Sequence, residues 1–235
     1  GCLGPLFFDG NFYLRPRHNK ALRRFLFFAW LFASLAGSAQ TEDLEKSLLY
    51  AKGNKRLRIL ETLIKKLENP DIKRATQLAK EGIRLAQHER NQQKEQQFSG
   101  LLGYLLRLQN SYDSANLLYN QALAIARSRS DDADCAEYLN GLSQLERAQG
   151  KLTVAINHAL AARRLSEMAG DPKQIGEALY NIGYIHLIQR SYDSAMLYFL
   201  ISLDVRRETG DSTMVAGSYN GIGLVLMRME NYPRS

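Results

Sequence analysis

Small residues recur in this chain at a fixed interval of 40 positions, and apolar residues surround them at helical spacing. Four small residues set the interval, each after a Leu or an Ile: Gly103, Ser143, Gly183 and Gly223. Two more small columns keep it: Ala115, Ala155 and Ala195, then Ala122, Ala162 and Ser202. Internal similarity at a period of about 20–50 residues is typical of a solenoid of stacked repeats. The pattern predicts a helical-repeat array from about residue 56 to residue 235.

Each period divides into two helices, which is clearest in residues 176–215. Ile182 lies on an apolar stripe at helical spacing, which predicts a helix A over about 174–189. Phe199 lies on a second stripe, which predicts a helix B over about 192–208. Arg190 and Ser191 form the turn between the two helices. Glycines are expected to end helices elsewhere in the array, at Gly150, Gly170 and Gly210. The chain is therefore predicted to be all-α, an α-α superhelical solenoid that buries apolar faces by stacking its hairpins.

The interval also divides the chain. Thr41 is placed to cap a short helix that Gly53 ends, which predicts an N-terminal capping helix. A degenerate repeat follows, because Leu63 stands where glycine is expected, while Ala75 and Gly82 match the small columns. The predicted divisions are the capping helix 40–55, the degenerate repeat 56–95, repeats 96–135, 136–175 and 176–215, and a truncated repeat 216–235. Since a solenoid that stops within a repeat exposes an apolar face, we expect this chain to be part of a longer protein.

The region before the array is predicted to be an export signal. Lys20, Arg23 and Arg24 precede an apolar stretch over 25–36, and small residues follow it up to Ala39. This order is typical of a secretory signal peptide, which we place at 22–39 with cleavage after Ala39. Cleavage after Ala36 is the second choice. A buried core helix or an uncleaved anchor is the alternative, although the stretch is shorter than the roughly 20 residues that span a bilayer.

Residues 1–21 are predicted to be non-native or upstream sequence. No methionine occurs before Met168, whereas a natural chain is expected to begin with one. Leu22 directly precedes Arg23, and would be the first residue if translation began at an alternative start codon. N-terminal sequencing of the unprocessed natural protein would test this hypothesis.

Composition narrows the function classes further. The chain has 235 residues, 45% hydrophobic and 23% charged, with a net charge of +7. From residue 96 onward acidic residues balance basic ones, so we expect no nucleic-acid partner. Removal of the signal leaves Cys135 as the single cysteine, and the four histidines are scattered. No phosphate-binding glycine loop or nucleophile motif occurs, so we expect no catalytic residue, no metal and no cofactor.

The repeats resemble the tetratricopeptide repeat family. The best match is Leu179, Ile182, Gly183, Ala195 and Phe199, with Ser202 in the last small column. The resemblance covers about 56–235 and departs from the commonest form in its 40-residue length. The closing proline is also missing, since its column holds Arg127, Glu167 and Arg207. The 136–175 repeat fits least well, because Ser143 replaces the glycine and Ala159 occupies the aromatic column.

The resemblance implies a concave surface lined by three columns of helix A. Carried over residue by residue, the columns supply these peptide-binding candidates: Tyr104, Arg107, Asn140, Gln144, Arg147, Tyr180, Tyr184 and Asn220. The same columns contain Gly100, Leu187, Leu224 and Met227. Flat aromatic rings and side-chain amides suit recognition of a peptide and its backbone. A solvated face without a ligand is the alternative.

Two functions are compatible with these features. The first is an exported scaffold, periplasmic or membrane-anchored, that binds a peptide or protein on its concave face. The second is the extracytoplasmic sensory region of a membrane-bound signalling protein, whose kinase, cyclase or DNA-binding output lies beyond residue 235. Any membrane contact would then come through a segment beyond residue 235. A third interpretation is a homo-oligomer formed through the array. Translation of the gene beyond Ser235 would separate the first two.

Overall fold

The computed structural model describes residues 40–231. The segments 1–21 and 22–39, for which upstream sequence and a signal peptide are predicted, lie outside the described residues, as do residues 232–235. A first helix, α1, covers residues 40–50, and the repeat body described below runs from residue 47 to residue 231. In the described range, no helix combines the length and the apolar character needed to cross a membrane.

Nine further helices follow α1 and alternate between helix A and helix B of successive hairpins. The A helices are α2 Gly53–Leu67, α4 Gln92–Leu108, α6 Asp132–Ala148, α8 Pro172–Ile188 and α10 Ser212–Asn231. The B helices are α3 Ile72–His88, α5 Tyr112–Ser128, α7 Leu152–Ala169 and α9 Tyr192–Glu208. This arrangement confirms the predicted fold class for residues 40–231, an all-α solenoid of helical hairpins.

The A helices from α4 onward begin 40 residues apart, because a capping side chain recurs at that interval. Asn91, Asp131, Asp171 and Asp211 each accept a hydrogen bond from a backbone N–H of the first turn, at 3.0–3.1 Å. Such caps satisfy backbone donors that have no partner inside the helix. The predicted divisions at 96, 136, 176 and 216 were set from the glycine column, and each lies four residues inside its A helix.

The turns between helices repeat every 20 residues. A left-handed residue, with φ between 53° and 76°, stands at each of Arg90, Asn110, Ser130, Gly150, Gly170, Arg190 and Gly210. Sequence reasoning identified the three glycines. It also placed a turn at Arg190, but it did not identify Arg90, Asn110 or Ser130, because residues other than glycine rarely adopt the left-handed conformation. Helices of nearly equal length and turns of one conformation therefore build the whole array from α4 to α10.

Aromatic rings from the B helices set the spacing between A helices. The ring of Tyr119 in α5 packs against Gly103 of α4 and Gly141 of α6, where an added Cβ would lie 3.3 Å and 2.7 Å from ring atoms. The ring of Phe199 in α9 packs in the same way between α8 and α10. These glycines permit an approach that any larger residue would obstruct.

The repeat between those of Tyr119 and Phe199 has no aromatic ring on its helix B, and side chains of the facing A helices fill the space instead. Ala159 of α7 occupies the aromatic column and is fully buried. The two positions equivalent to the glycines carry Ser143 on α6 and Asn181 on α8, both fully buried. This repeat matches the family weakly because the volume of the missing ring is supplied by the larger side chains of Ser143 and Asn181 on the facing helices. The helices still stack as they do in the neighbouring repeats.

Successive A helices also contact one another directly, from α4 to α6, from α6 to α8 and from α8 to α10. Within the described helices, no contact of comparable extent joins one B helix to the next. The A helices therefore form the inner layer of the repeat body, and the B helices lie outside it. This places the predicted peptide-binding columns on the inner layer.

Candidate functional site

An open cavity of about 420 Å³ crosses the inner layer of the repeat body, and we call it the groove. Its walls come from the A helices α2, α4, α6 and α8, with Tyr119 added from α5. Of the predicted binding residues, Tyr104, Asn140 and Gln144 line it. Tyr184 lines a second cavity of about 320 Å³ that also includes Leu187 and Leu224. The other four predicted residues line neither cavity: Arg107, Arg147, Tyr180 and Asn220.

Arginine and tyrosine side chains pair along the inner layer. The Arg107 guanidinium lies 5.3 Å from the centre of the Tyr104 ring. The Arg147 guanidinium on α6 lies 4.1 Å from the ring centre of Tyr184 on α8, so this pair joins neighbouring repeats. Cations over aromatic faces are attracted by the ring quadrupole, which contributes about 0.5–2 kcal/mol. The pairs hold flat rings and guanidinium groups in fixed positions on this surface.

Tyr180 and Tyr184 belong partly to the core. Their ring centres lie 6.0 Å apart, and both rings contact Phe199, at 5.4 Å and 6.5 Å. Loss of solvation raises the pKa of the Tyr180 hydroxyl, and the nearby Arg147 charge partly opposes that change. Both residues are half-buried, so each contributes to the core and to the surface of the inner layer.

The predicted amides serve contacts within the array. Asn140 is only 2% exposed, and its side-chain nitrogen donates to the backbone oxygen of Gln174 at 3.1 Å and to its side-chain oxygen at 3.0 Å. Gln144 donates to the carboxylate of Glu177. Both amides therefore connect α6 to α8, and their expected bonds to a ligand backbone would compete with these contacts. Asn220 is exposed on α10 and lines neither cavity.

Carboxylates dominate the groove. Its walls carry Glu61, Glu68, Asp134, Glu137 and Glu177 against two lysines, Lys65 and Lys173. Glu61 pairs with Lys65 and with Lys94, at 3.0 Å and 3.1 Å. In the part of the chain that the structure describes, Glu68 and Glu137 have no ion pair. The groove is therefore an acidic surface next to the arginine–tyrosine pairs.

The acidic walls change the titration of their own carboxyl groups. Loss of solvation raises the pKa of Glu137, and repulsion from Asp134 and Asp171 adds to it, while Lys173 and Lys65 oppose it. Loss of solvation also raises the pKa of Glu68 and of Asp134. Although Glu137 reaches solvent, protein atoms of the concave surface surround it and weaken its hydration.

We expect Glu137→Gln to raise the thermal midpoint at neutral pH. A carboxyl group whose pKa is raised by folding destabilises the folded state when it is ionised. This destabilisation develops as the pH rises from the pKa of the group in the unfolded chain through its pKa in the folded chain. The gain should therefore shrink on acidification and vanish near about pH 4, where the unfolded group is also protonated. Thermal unfolding followed by circular dichroism across this range checks the expectation. The exposed Glu208→Gln serves as the control, and a gain that does not depend on pH would contradict the assignment.

Sequence reasoning missed three contributors. Glu137 and Glu177 lie one helical turn before the first predicted column, in a column that also holds Gln97 and Gly217. Extending the predicted columns by one turn would have found them. Arg206 lies on α9 beneath Tyr180, 4.5 Å from its ring centre, and is 3% exposed. The equivalent positions of the two preceding repeats hold the small residues Ala126 and Ser166. An arginine at a position that is otherwise small would have indicated a special role for Arg206.

Among residues 40–231, no group of three or more His, Cys, Asp or Glu side chains is placed to hold a metal ion.

No protein-family model matches the chain, and no curated protein matches it.

Several solved structures share its fold. BtubC (BKLC) from P. vanneervenii superposes with a TM-score of 0.63 at 16% identity, covering 84% of this chain and 83% of that one. Aspartyl phosphate phosphatase F from Bacillus subtilis gives a TM-score of 0.65 at 13% identity, with 83% of this chain and 58% of that chain covered. A putative kinesin light chain from Podosopora anserina with nearly identical TPR-like repeats gives 0.57 at 11% identity, covering 75% and 88%. At these identities the similarity establishes a tetratricopeptide-like helical-repeat fold.

Proposed function

We propose that the repeat body is a binding scaffold, not a catalyst, and that it takes an extended peptide segment of a protein partner along its inner layer. The observation that carries this proposal is the groove of about 420 Å³, which remains open across four A helices. We also assign the repeats to a 40-residue form of the tetratricopeptide repeat. The similarity in fold to helical-repeat proteins supports the scaffold architecture, while the ligand class is inferred from the groove itself.

The dimensions of the groove suit a peptide. Packed helices lie about 8–10 Å apart, so four A helices span roughly 25–30 Å. An extended chain advances about 3.3 Å per residue, which gives room for about eight or nine residues. Tyr104 and Tyr184 offer flat faces that Arg107 and Arg147 hold in place. Tyr and Arg are the residue types enriched at protein interfaces.

The scaffold proposal includes export, so that the repeat body would act in the periplasm or on the outer side of a membrane. Its support is the order of residues in the predicted signal, with a basic cluster before the apolar stretch 25–36 and small residues after it. The neutral balance of charge from residue 96 onward supports a protein or peptide partner over a nucleic acid.

The proposed peptide follows the inner layer past the groove to Tyr184, which lines the second cavity under the Arg147 guanidinium. The proposed function predicts that Tyr184→Ala and Arg147→Ala each weaken peptide binding by about tenfold or more, as loss of a Tyr or Arg anchor of an interface does. The probes are peptides selected from a random display library on the immobilised chain, and calorimetry measures their affinity. Tyr50→Ala is a suitable control, because Tyr50 is 86% exposed and lies outside both cavities. Helicity of all variants is checked by circular dichroism.

Two outcomes would count against the proposal. Unchanged affinity in both variants would place the binding surface elsewhere on the protein. Loss of helicity in both would mean that Tyr184 and Arg147 act mainly as core residues, and the assignment of this face would be wrong.

A further inference from the structure

We propose that the first hairpin of the repeat body, formed by α2 and α3, docks on the surface of a bilayer that contains anionic phospholipids. The contact is made by a row of cations on α3 and by two exposed side chains at the end of α1. This surface belongs to the outer layer, so the inference is independent of the peptide proposed for the groove. It also differs from the membrane contact expected through a segment beyond residue 235.

The cations form a straight row along α3, which we call the basic row: Lys73, Lys80 and Arg84. All three side chains are exposed, and their spacing of seven and four residues places them on one face of the helix. The row is about 16 Å long, because a helix rises about 1.5 Å per residue. The opposite face of α3 is buried and includes Leu78 and Gly82. The basic row therefore points away from the core of the repeat body.

The charge of the basic row is not neutralised by neighbouring side chains. Among the described residues, Lys73, Lys80 and Arg84 form no ion pair. Glu81 lies next to the row but is engaged by Arg56 of α2, at 2.6 Å. Glu89 follows the end of α3 and is exposed, so it offsets part of the charge. Three cations against this one carboxylate leave a positive potential on the outer layer.

The fold does not require these cations, because other repeats carry different residues at the equivalent positions. Those positions hold Asp113, Asn120 and Ala124 on α5, and Asp193, Leu200 and Asp204 on α9. The degenerate repeat 56–95 has ten Lys and Arg against six Asp and Glu, whereas the chain from residue 96 onward has thirteen against fourteen. Positive charge is therefore concentrated on the first hairpin, as expected of a surface that meets an anionic partner.

Two exposed side chains lie beside the first hairpin. Tyr50 is 86% exposed and Leu49 is 76% exposed, more than the other large apolar side chains of the described residues. The Arg56 guanidinium donates to the backbone oxygen of Leu48 and to the carboxylate of Glu81, which places the end of α1 beside the middle of α3. A tyrosine and a leucine next to cations suit the boundary between phospholipid headgroups and acyl chains.

A bilayer fits this surface better than a nucleic acid does. A row of cations on the outer layer does not enclose a ligand, so it matches an extended anionic surface. Leu49 would gain little from a phosphate backbone, whereas it can enter the apolar boundary of a bilayer. The apolar stretch 25–36 precedes α1 in the chain. If this stretch remains as an uncleaved anchor, the first hairpin is also the part of the repeat body closest to the bilayer in sequence.

The test compares binding of the full chain to two kinds of vesicle by co-sedimentation. One kind contains phosphatidylcholine alone, and the other contains phosphatidylcholine and phosphatidylglycerol in equal amounts. The ratio of the two affinities measures the anionic preference and removes the apolar contribution that both kinds of vesicle share. Replacing Lys73, Lys80 and Arg84 by Gln should lower this ratio by about fivefold per cation. Added salt should also lower the ratio in the parent chain.

The exposed side chains are tested separately. Replacing Leu49 and Tyr50 together by Ala should weaken binding to both kinds of vesicle by about tenfold, since less apolar area enters the bilayer. The anionic preference and its dependence on salt should stay as in the parent chain. Unchanged affinity in this variant would overturn the part of the proposal that concerns the end of α1.

A matched variant controls for the loss of net charge. Replacing Arg127, Lys151 and Arg164 by Gln removes three exposed cations outside the first hairpin, and the anionic preference should be retained. Equal loss in both triple variants would overturn the docking surface, as would an unchanged preference in the variant of the basic row. If that variant instead lost binding to a single-stranded RNA homopolymer and kept its preference for anionic vesicles, the partner would be a nucleic acid. Binding of selected peptides should be the same in all these variants, so failure of the docking surface leaves the groove unaffected.

Discussion

Replacing Phe199 with alanine is expected to lower the free energy of unfolding by about 3–5 kcal/mol, the range measured for fully buried aromatic residues. The ring is 0% exposed and contacts both Tyr180 and Tyr184. It also separates α8 from α10, because it lies against Gly183 and Gly221. Its loss would leave a cavity between two repeats that rigid helices cannot close. Urea denaturation followed by circular dichroism measures the change.

The neighbouring repeat supplies the control for this prediction. There Ala159 occupies the ring position, and Ser143 and Asn181 stand where Gly183 and Gly221 stand in the next repeat. Adding Gly183→Ser and Gly221→Asn to Phe199→Ala should therefore restore part of the lost stability. In the parent chain Gly221→Asn should destabilise, since an added Cβ would lie 2.8 Å from the Phe199 ring. If the three substitutions changed the free energy of unfolding additively, the side chains at positions 183, 199 and 221 would not fill one common space.

Replacing Glu177 with glutamine is expected to cost about 2–3 kcal/mol. Its carboxylate accepts a hydrogen bond from Arg206, whose side chain is 3% exposed, so the substitution leaves a buried cation without a counterion. The cost should fall below that of a fully buried pair, because the Glu177 side chain keeps 25% of its exposure. Urea denaturation with the same probe checks the value.

A double-mutant cycle isolates the interaction between the two residues. The Arg206→Ala variant has the small residue found in other repeats at this position, and it removes the cation that needs Glu177. In that background Glu177→Gln should cost much less than in the parent chain. An equal cost in both backgrounds would show that Glu177 stabilises the array through Gln144 instead.

Most of the helices could be predicted from the sequence, whereas few of the contacts between repeats could. Helix B of the 176–215 repeat was predicted over about 192–208, and the structure places α9 at Tyr192–Glu208. Such features depend on local periodicity and on turn residues, which a single sequence displays. The inner-layer position of the helix A columns came from the family resemblance, and the contacts between A helices agree with it.

The use of individual side chains could not be predicted in the same way. Asn140 lies in a predicted binding column, yet its amide is bonded to Gln174 one repeat away. The direction in which Arg147 points, towards Tyr184 on α8, depends on the angle between stacked repeats. That angle results from the packing of Tyr119, Ala159 and Phe199 against their partners. The angle between repeats depends on the combined side-chain volumes of residues on separate helices. A local sequence pattern does not reveal how these volumes combine.

The left-handed residues at the turns have a consequence for how such a chain can change in length. Ser130 and Gly170 hold the same backbone conformation, and each is followed by an aspartate that caps the next A helix. Deleting residues 131–170 would join Ser130 directly to Asp171 and recreate the original junction. Unequal recombination between such positions can therefore remove or duplicate a whole module without a new loop. Binding surfaces of different length then become accessible in one genetic step.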